Sequence, residues 1–384
     1  MADLKDRPDA TLAGRLDPIV DAALAEQRIV GAVVLVARKG AVVYARAAGL
    51  ADREADRPMA RDAIFRAASL TKPMVTAAAL SLIEDGTLGF DEPVTKYLPA
   101  FQPRWEGQAP TITIRQLLTH TSGLSYGFLQ PADGPYLKLG VSDGLDQPGV
   151  GFAENLPRIA EAGLFFPPGA AWLYSVGMDV LGAVIEAATG LSLGEVMAQR
   201  LTTKLGMADT GFTVADRGRL AAAYADGAPP IRMGDTHVVP FVELSGISFA
   251  PDRIFDRTSF PSGGGGMACS APDFLAFLET IRSGGGPVVS QATAASMMTN
   301  QTGSHSIVMT GPGWGFGFGG AVMLDPAATG SPMPSGVWMW GGVYGHSWFV
   351  DPATETSFVL MTNTAVEGMS GRLSLELMAA TATS

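Results

Sequence analysis

Strand-like runs stand at both ends of this chain, and helix-like periodicity fills the stretch between them. Near the start, Gly31-Ala32-Val33-Val34-Leu35-Val36-Ala37 and Ala41-Val42-Val43-Tyr44-Ala45 flank a turn at Arg38-Lys39-Gly40. Two β-branched runs about a glycine turn read as a hairpin. Near the end, Val337-Trp338-Met339-Trp340, Ser347-Trp348-Phe349-Val350 and Thr356-Ser357-Phe358-Val359-Leu360-Met361 repeat the pattern, with Asp351-Pro352 turning between the last two. Residues 69–86, 113–119, 154–162 and 175–205 carry helical spacing instead. An amphipathic helix over 11–28, with Leu12, Leu16, Ile19, Val20, Ala23 and Leu24 on one side, precedes the first hairpin. A last helix from about Gly371 to Ala380 follows the final strand.

This distribution predicts an α/β (α+β) architecture: one antiparallel sheet flanked by helices and built from both termini. A helical subdomain over 76–219 is inserted between the halves of a sheet domain formed by 1–75 and 220–384. The boundaries fall near residues 75 and 219, and the expected active site lies where the two parts meet.

Composition removes several function classes. A net charge of -11 repels phosphate backbones, so nucleic acid is not an expected partner. The apolar run Gly31–Ala37 is far too short to span a bilayer, and no membrane partner is expected. The opening Met1-Ala2-Asp3-Leu4-Lys5-Asp6-Arg7 has no apolar stretch of the signal-peptide kind, so the expected location is cytoplasmic. A single cysteine, Cys269, excludes an internal disulfide and a thiolate metal cluster. The histidines His120, His237, His305 and His346 lack H-x-x-x-H spacing, so no metal site is expected.

The segment Phe65-Arg66-Ala67-Ala68-Ser69-Leu70-Thr71-Lys72-Pro73-Met74 carries the most chemistry. Proline is tolerated in the first turn of a helix, so Pro73 sets a helix start near Ser69. Gly86 marks the far end. Positions three apart share a helix face, so Ser69 and Lys72 meet. A serine hydroxyl becomes a nucleophile when a neighbour takes its proton. A desolvated lysine does this, because burial lowers its pKa. Lys72 is the only lysine in the chain with serine three residues before it. A capping serine followed by a surface lysine would give the same letters.

Two further segments read blandly in isolation. Tyr174 closes Phe166-Pro167-Pro168-Gly169-Ala170-Ala171-Trp172-Leu173-Tyr174 just before a helix from about Ser175. Trp340-Gly341-Gly342-Val343-Tyr344-Gly345-His346 is a glycine-bearing strand end, where another backbone or a ligand approaches closely.

Taken in order, the three segments resemble the family of class C β-lactamases, penicillin-binding proteins and related esterases. Ser69-Leu70-Thr71-Lys72 matches the S-x-x-K element. Tyr174-Ser175-Val176 stands in the place of the tyrosine-x-asparagine element, and Trp340-Gly341-Gly342 in that of lysine-threonine-glycine. Leu117-Leu118-Thr119-His120-Thr121-Ser122-Gly123-Leu124 and Gly263-Gly264-Gly265-Gly266-Met267 agree with the family as lesser landmarks. The resemblance runs from about residue 15 to the C-terminus and is nearest to the family VIII bacterial carboxylesterases.

That resemblance implies a β-lactamase/transpeptidase-like fold and roles for particular residues. Ser69 forms the acyl-enzyme; Lys72 and Tyr174 share its proton, with Tyr174 the better-placed base. The N–H groups of Ser69 and Val343 make the oxyanion hole. Tyr126, Val176, Trp340, Gly341 and Gly342 contact substrate, and His346 shapes the strand end without a catalytic role. No cofactor is implied; the partner is a small-molecule ester.

Two departures set the substrate class. Val176 replaces the asparagine, and Trp340 replaces the lysine that would hold a substrate carboxylate. A charge-assisted contact contributes ~1.5–3 kcal/mol. Its loss points away from penicillins and toward short-chain acyl esters. The alternatives sharing this site are a β-lactamase or penicillin-binding-type hydrolase, an acyltransferase, and a non-catalytic binder, against which the intact Ser69, Lys72 and Tyr174 argue.

Two patterns compete and fail on context. Gly123-Leu124-Ser125-Tyr126-Gly127 fits G-x-S-x-G, but the nucleophile elbow needs a strand before it and a helix after it. Here Ile114–His120 reads as helix and Phe128–Pro135 as loop. Gly263-Gly264-Gly265-Gly266-Met267-Ala268 fits a dinucleotide pattern but follows Phe260-Pro261-Ser262 instead of a strand.

Overall fold

The computed structural model describes residues 4–241, 244–329 and 331–382. Part of the leader reading falls on residues 1–3, outside the described residues. The main sheet is assembled from β1 (Lys5–Asp6), β2 (Gly31–Arg38), β3 (Ala41–Asp52) and β4 (Arg57–Pro58) at one end of the chain. A short strand, β5 (Ile64–Arg66), leads from this set to the site and pairs with β6 (Ala268–Ser270). The other end supplies β7 (Trp314–Phe316), β8 (Ala321–Met323), β9 (Trp338–Gly342), β10 (His346–Asp351) and β11 (Thr356–Thr362). Their order across the sheet is β1-β3-β2-β11-β10-β9-β8-β7, with β4 on β3.

The seam between the two ends is the antiparallel pair β2–β11, in register from Ala32↔Thr362 to Arg38↔Thr356. Side chains alternate across a strand. Val34 and Val36 of β2 therefore join Leu12, Leu16 and Val20 of helix α1 (Ala10–Ala25) on one face. Val33 and Leu35 join the larger core on the other face. Both faces are covered, which is why β2 reads as one unbroken apolar run. Helix α2 (Thr71–Glu84) lies in the larger core, buried from Thr71 to Leu82. Helices α3 (Gly177–Thr189) and α4 (Ala271–Arg282) also contribute to that core, whereas the last helix, α5 (Arg372–Ala382), joins α1.

The sheet departs from the expectation of purely antiparallel pairing at one edge, where β1 runs parallel to β3. Strands β7 and β8 have no counterpart in the sequence reading; they are three residues each and lie amid Gly315, Gly317, Gly319 and Gly320. The periodic stretch 175–205 is broken. Gly190 ends α3 in the left-handed conformation at φ +70. Ser192 and Glu195 then form a capping box that restarts a helix at Leu193. Among the described residues no single helix is long and apolar enough to cross a membrane.

Candidate active site

Ser69 stands where β5 turns sharply into α2. Ala68 takes a left-handed φ of +46, which costs a non-glycine residue roughly 1–3 kcal/mol. The surrounding backbone holds it there. Ala67 N–H donates to Met267 O at 2.8 Å, Leu70 N–H to Ala67 O at 3.1 Å, and His346 Nε2–H to Arg66 O at 2.8 Å. A single 3-10 turn, Ala68–Leu70, then runs into α2, with Pro73 in its first turn as expected.

One turn on, Lys72 Nζ donates to Ser69 Oγ at 3.2 Å and to Gly264 O at 2.7 Å. Lys72 is 1% exposed. Burial pulls its pKa from 10.5 down to about 7, while the carboxylates of Asp179 and Asp143 act in the opposite sense. Its ammonium sits 4.4 Å from the ring centroid of Tyr174 and 5.1 Å from that of Tyr126. Near neutrality the amine is thus divided between its charged and neutral forms.

Tyr174 lies two residues before the N-cap of α3, Val176. Burial pushes its phenol pKa up, with opposing hydrogen bonds to Ser69 and Trp340. The indole Nε1–H of Trp340 donates to the Tyr174 hydroxyl at 3.0 Å. Tyr126 packs against Tyr174 with ring centroids 5.1 Å apart. Strand β9 brings Trp340 in, and its last residue, Gly342, fits against the nucleophile's turn. A Cβ there would come within 2.8 Å of Ala67 O and 3.0 Å of Leu70 Cδ1. Gly341 is equally tight, with Met369 Cγ 2.6 Å from where a Cβ would stand. Val343 begins the turn after β9, and its N–H donates to no backbone carbonyl among the described residues.

The residues singled out from the sequence therefore meet at one place: Ser69, Lys72 and Tyr174 touch in series, Tyr126 and Trp340 both pack on Tyr174, and Gly342 lies behind the nucleophile. Val176 has no accessible surface; its N–H donates to Ser125 O at 3.1 Å. It shapes the site from behind. Ser125 Oγ donates to its neighbour's carbonyl, Tyr126 O, at 3.2 Å. It follows helix Ile114–Leu118 and precedes a 3-10 turn at Gly127–Leu129, so no elbow exists there.

Sequence reasoning missed a buried carboxylate. Asp179 is 1% exposed, and its Oδ1 accepts from Ser262 Oγ and from Gly264 N–H at 3.1 Å. Its Oδ2 has no hydrogen-bond partner among the described residues. Burial raises its pKa, opposed by Ser262 and by the Lys72 charge. Asp179 holds Gly264 through its N–H, while the carbonyl of the same residue holds Lys72. A Cβ on Gly264 would meet Tyr126 Oη at 2.7 Å and Asp179 Oδ2 at 3.0 Å. The glycine run 263–266 is therefore a thread between charged side chains. The one sequence signal for Asp179 was an acidic residue in the first turn of α3, which reads equally well as a helix-dipole partner. Among the described residues no group of three or more His, Cys, Asp or Glu could hold a metal ion.

Comparison with known proteins gives concordant results. The Beta-lactamase family matches residues 16–383. Esterase EstB of Burkholderia gladioli is 50% identical over 372 residues, covering 96% of this chain and 94% of that protein. Among solved structures, "EstCE1, a hydrolase with promiscuous acyltransferase activity" superposes with a TM-score of 0.92 at 45% identity, covering 97% of this chain and 98% of that one. Unliganded simvastatin synthase (LovD) from Aspergillus terreus shares the fold at 22% identity, with a TM-score of 0.76 and coverage of 98% and 99%.

Proposed function

From the premise that the chain belongs to the Beta-lactamase family, we propose that it is a serine carboxylesterase acting on short-chain acyl esters through an acyl-enzyme on Ser69. The observation that carries this reading is the Ser69 Oγ–Lys72 Nζ contact of 3.2 Å, with Lys72 drawn down to about 7 by burial. Ser69 Oγ attacks the ester carbonyl and gives its proton to neutral Lys72 Nζ. Lys72, and not Tyr174 as the resemblance implies, is the base in the free enzyme, because burial keeps the Tyr174 phenol protonated. The oxyanion is received by the N–H groups of Ser69 and Val343. Tyr174 then passes a proton to the departing alkoxide and is replenished from Lys72. Water enters, loses a proton along the same route, and releases the acid from Ser69.

The substrate class follows from Trp340. Its indole supplies Tyr174 with a neutral donor at 3.0 Å where lactamases of this family carry a lysine. The hydrogen bond is kept and the cation that would hold a carboxylate is absent. Apolar surface from Trp340, the most exposed of the aromatic residues around Tyr174, favours an acyl chain, by about 0.8 kcal/mol per buried methylene. Because EstCE1 is a hydrolase with promiscuous acyltransferase activity, transfer of the same acyl group to an alcohol is a second reading. p-Nitrophenyl esters of rising chain length, assayed beside a chromogenic cephalosporin and with added acceptor alcohol, test both. Ester turnover exceeding cephalosporin turnover supports the esterase; the reverse order overturns it. The ratio of new ester to free acid measures transfer.

A further inference from the structure

His120 belongs to none of the steps above, yet it is 1% exposed and packs directly on Tyr174, ring centroids 4.8 Å apart. Its backbone takes a left-handed φ of +56, a conformation histidine and asparagine enter more readily than most residues. Its carbonyl accepts the N–H of Leu173 at 2.9 Å. Its Nδ1 is 3.1 Å from Ser175 Oγ. That hydroxyl already accepts the Gly177 N–H at 3.3 Å, which frees its own proton for Nδ1. One residue thus grips the chain immediately before and immediately after Tyr174, and lays its ring against the phenol between those two points. Phe316 and Trp172 back the imidazole edge-on at 5.3 and 6.1 Å.

We infer that His120 is a positioning residue that sets the orientation of the Tyr174 hydroxyl toward Ser69, acting through its paired contacts with Leu173 and Ser175. The inference rests on the proposed role of Tyr174 as proton relay. Burial keeps the imidazole neutral, well below its ordinary pKa. It therefore donates no charge to the reaction, and its effect is one of geometry. A relay held by two flanking hydrogen bonds loses rate without losing substrate affinity when one is removed, since the contact matters only as the proton moves.

The test compares His120→Asn, His120→Leu and Ser175→Ala on p-nitrophenyl butyrate, with Tyr174→Phe as reference. Asparagine keeps an amide atom near the place of Nδ1 and tolerates the left-handed backbone. His120→Asn is expected to hold kcat within about threefold of the parent. His120→Leu and Ser175→Ala are each expected to lower kcat by about tenfold or more at unchanged KM. The double variant should be little worse than His120→Leu alone, because both remove one contact. Circular dichroism and melting temperature establish that each variant is folded; if His120→Leu does not fold, Ser175→Ala and His120→Asn carry the test. Parent-like kcat in Ser175→Ala, or an equal loss in His120→Asn and a folded His120→Leu, overturns the inference while Tyr174→Phe remains inactive. Parent-like kcat in Tyr174→Phe overturns the relay itself.

Discussion

The indole nitrogen of Trp340 and the phenol oxygen of Tyr174 stand 3.0 Å apart, and the indole is the donor. Trp340 reaches that position because β9 ends on two glycines, the second of which lies against the turn that carries Ser69. A neutral donor is thus built into the place where a cation would otherwise compete with Lys72. Trp340→Phe keeps the apolar wall and deletes the hydrogen bond, so ester kcat should fall by about three- to tenfold, corresponding to ~1 kcal/mol. Trp340→Lys should be worse, because a second ammonium beside Lys72 disfavours protonation of that base. Steady-state kinetics on one ester for the two variants checks the order; a Trp340→Lys enzyme as fast as the parent contradicts it.

The pH profile follows from Lys72. The reaction needs its neutral form, and burial has brought its pKa to about 7. The kcat/KM for a neutral ester should therefore fall as pH drops through about 7 and level off above it. Stability moves the same way. Between about 7 and 10.5 the unfolded chain binds a proton at Lys72 that the folded chain does not, so unfolding free energy from this residue rises with pH across that window. Lys72→Met should remove this dependence and raise the melting temperature at neutral pH while abolishing turnover. A Lys72→Met protein that melts below the parent at neutral pH speaks against the buried, strained base.

Gly264→Ala tests the thread that holds Lys72. Its new methyl would stand 2.7 Å from Tyr126 Oη and 3.0 Å from Asp179 Oδ2. Overpacking of this kind costs about 1–3 kcal/mol. The displaced carbonyl should also lower kcat by more than tenfold, since Gly264 O accepts from Lys72 Nζ at 2.7 Å. Thermal melts and kinetics on the same sample measure both; an unchanged enzyme would show that the segment does not restrain Lys72.

Much of this arrangement is legible in the sequence, and the part that is not has a common cause. Ser69, Lys72 and Pro73 are local: one helical turn fixes their relation, so spacing alone suffices. Tyr174 and the Trp340-Gly341-Gly342 strand end are read through resemblance, because nothing local says that they face Ser69. Asp179, Ser262 and Gly264 act together only after α3 and the glycine thread have packed against α2, and no period or motif encodes that meeting. The missed strands β7 and β8 are short and glycine-rich, so they carry little β-branched signal. The break at Gly190 was legible: a glycine followed by Ser192 and Glu195 is a stop and a restart.

Ser125→Ala separates the two serine patterns. Ser125 is 1% exposed and its hydroxyl donates to Tyr126 O, so removing that hydroxyl should cost about 1 kcal/mol of stability and leave turnover near the parent's. An inactive but folded Ser125→Ala would place that serine in the chemistry.

The most direct measurement is to trap the acyl-enzyme. Mixing the protein with p-nitrophenyl butyrate, quenching in acid within one turnover, and mapping the butyryl adduct by peptide mass spectrometry identifies the nucleophile. The adduct should sit on Ser69, build up in the parent, and be absent from Ser69→Ala, whose folded state is unchanged. An adduct on Ser125 or any other residue, or a Ser69→Ala protein that still hydrolyses the ester at the parent's rate, would contradict the account.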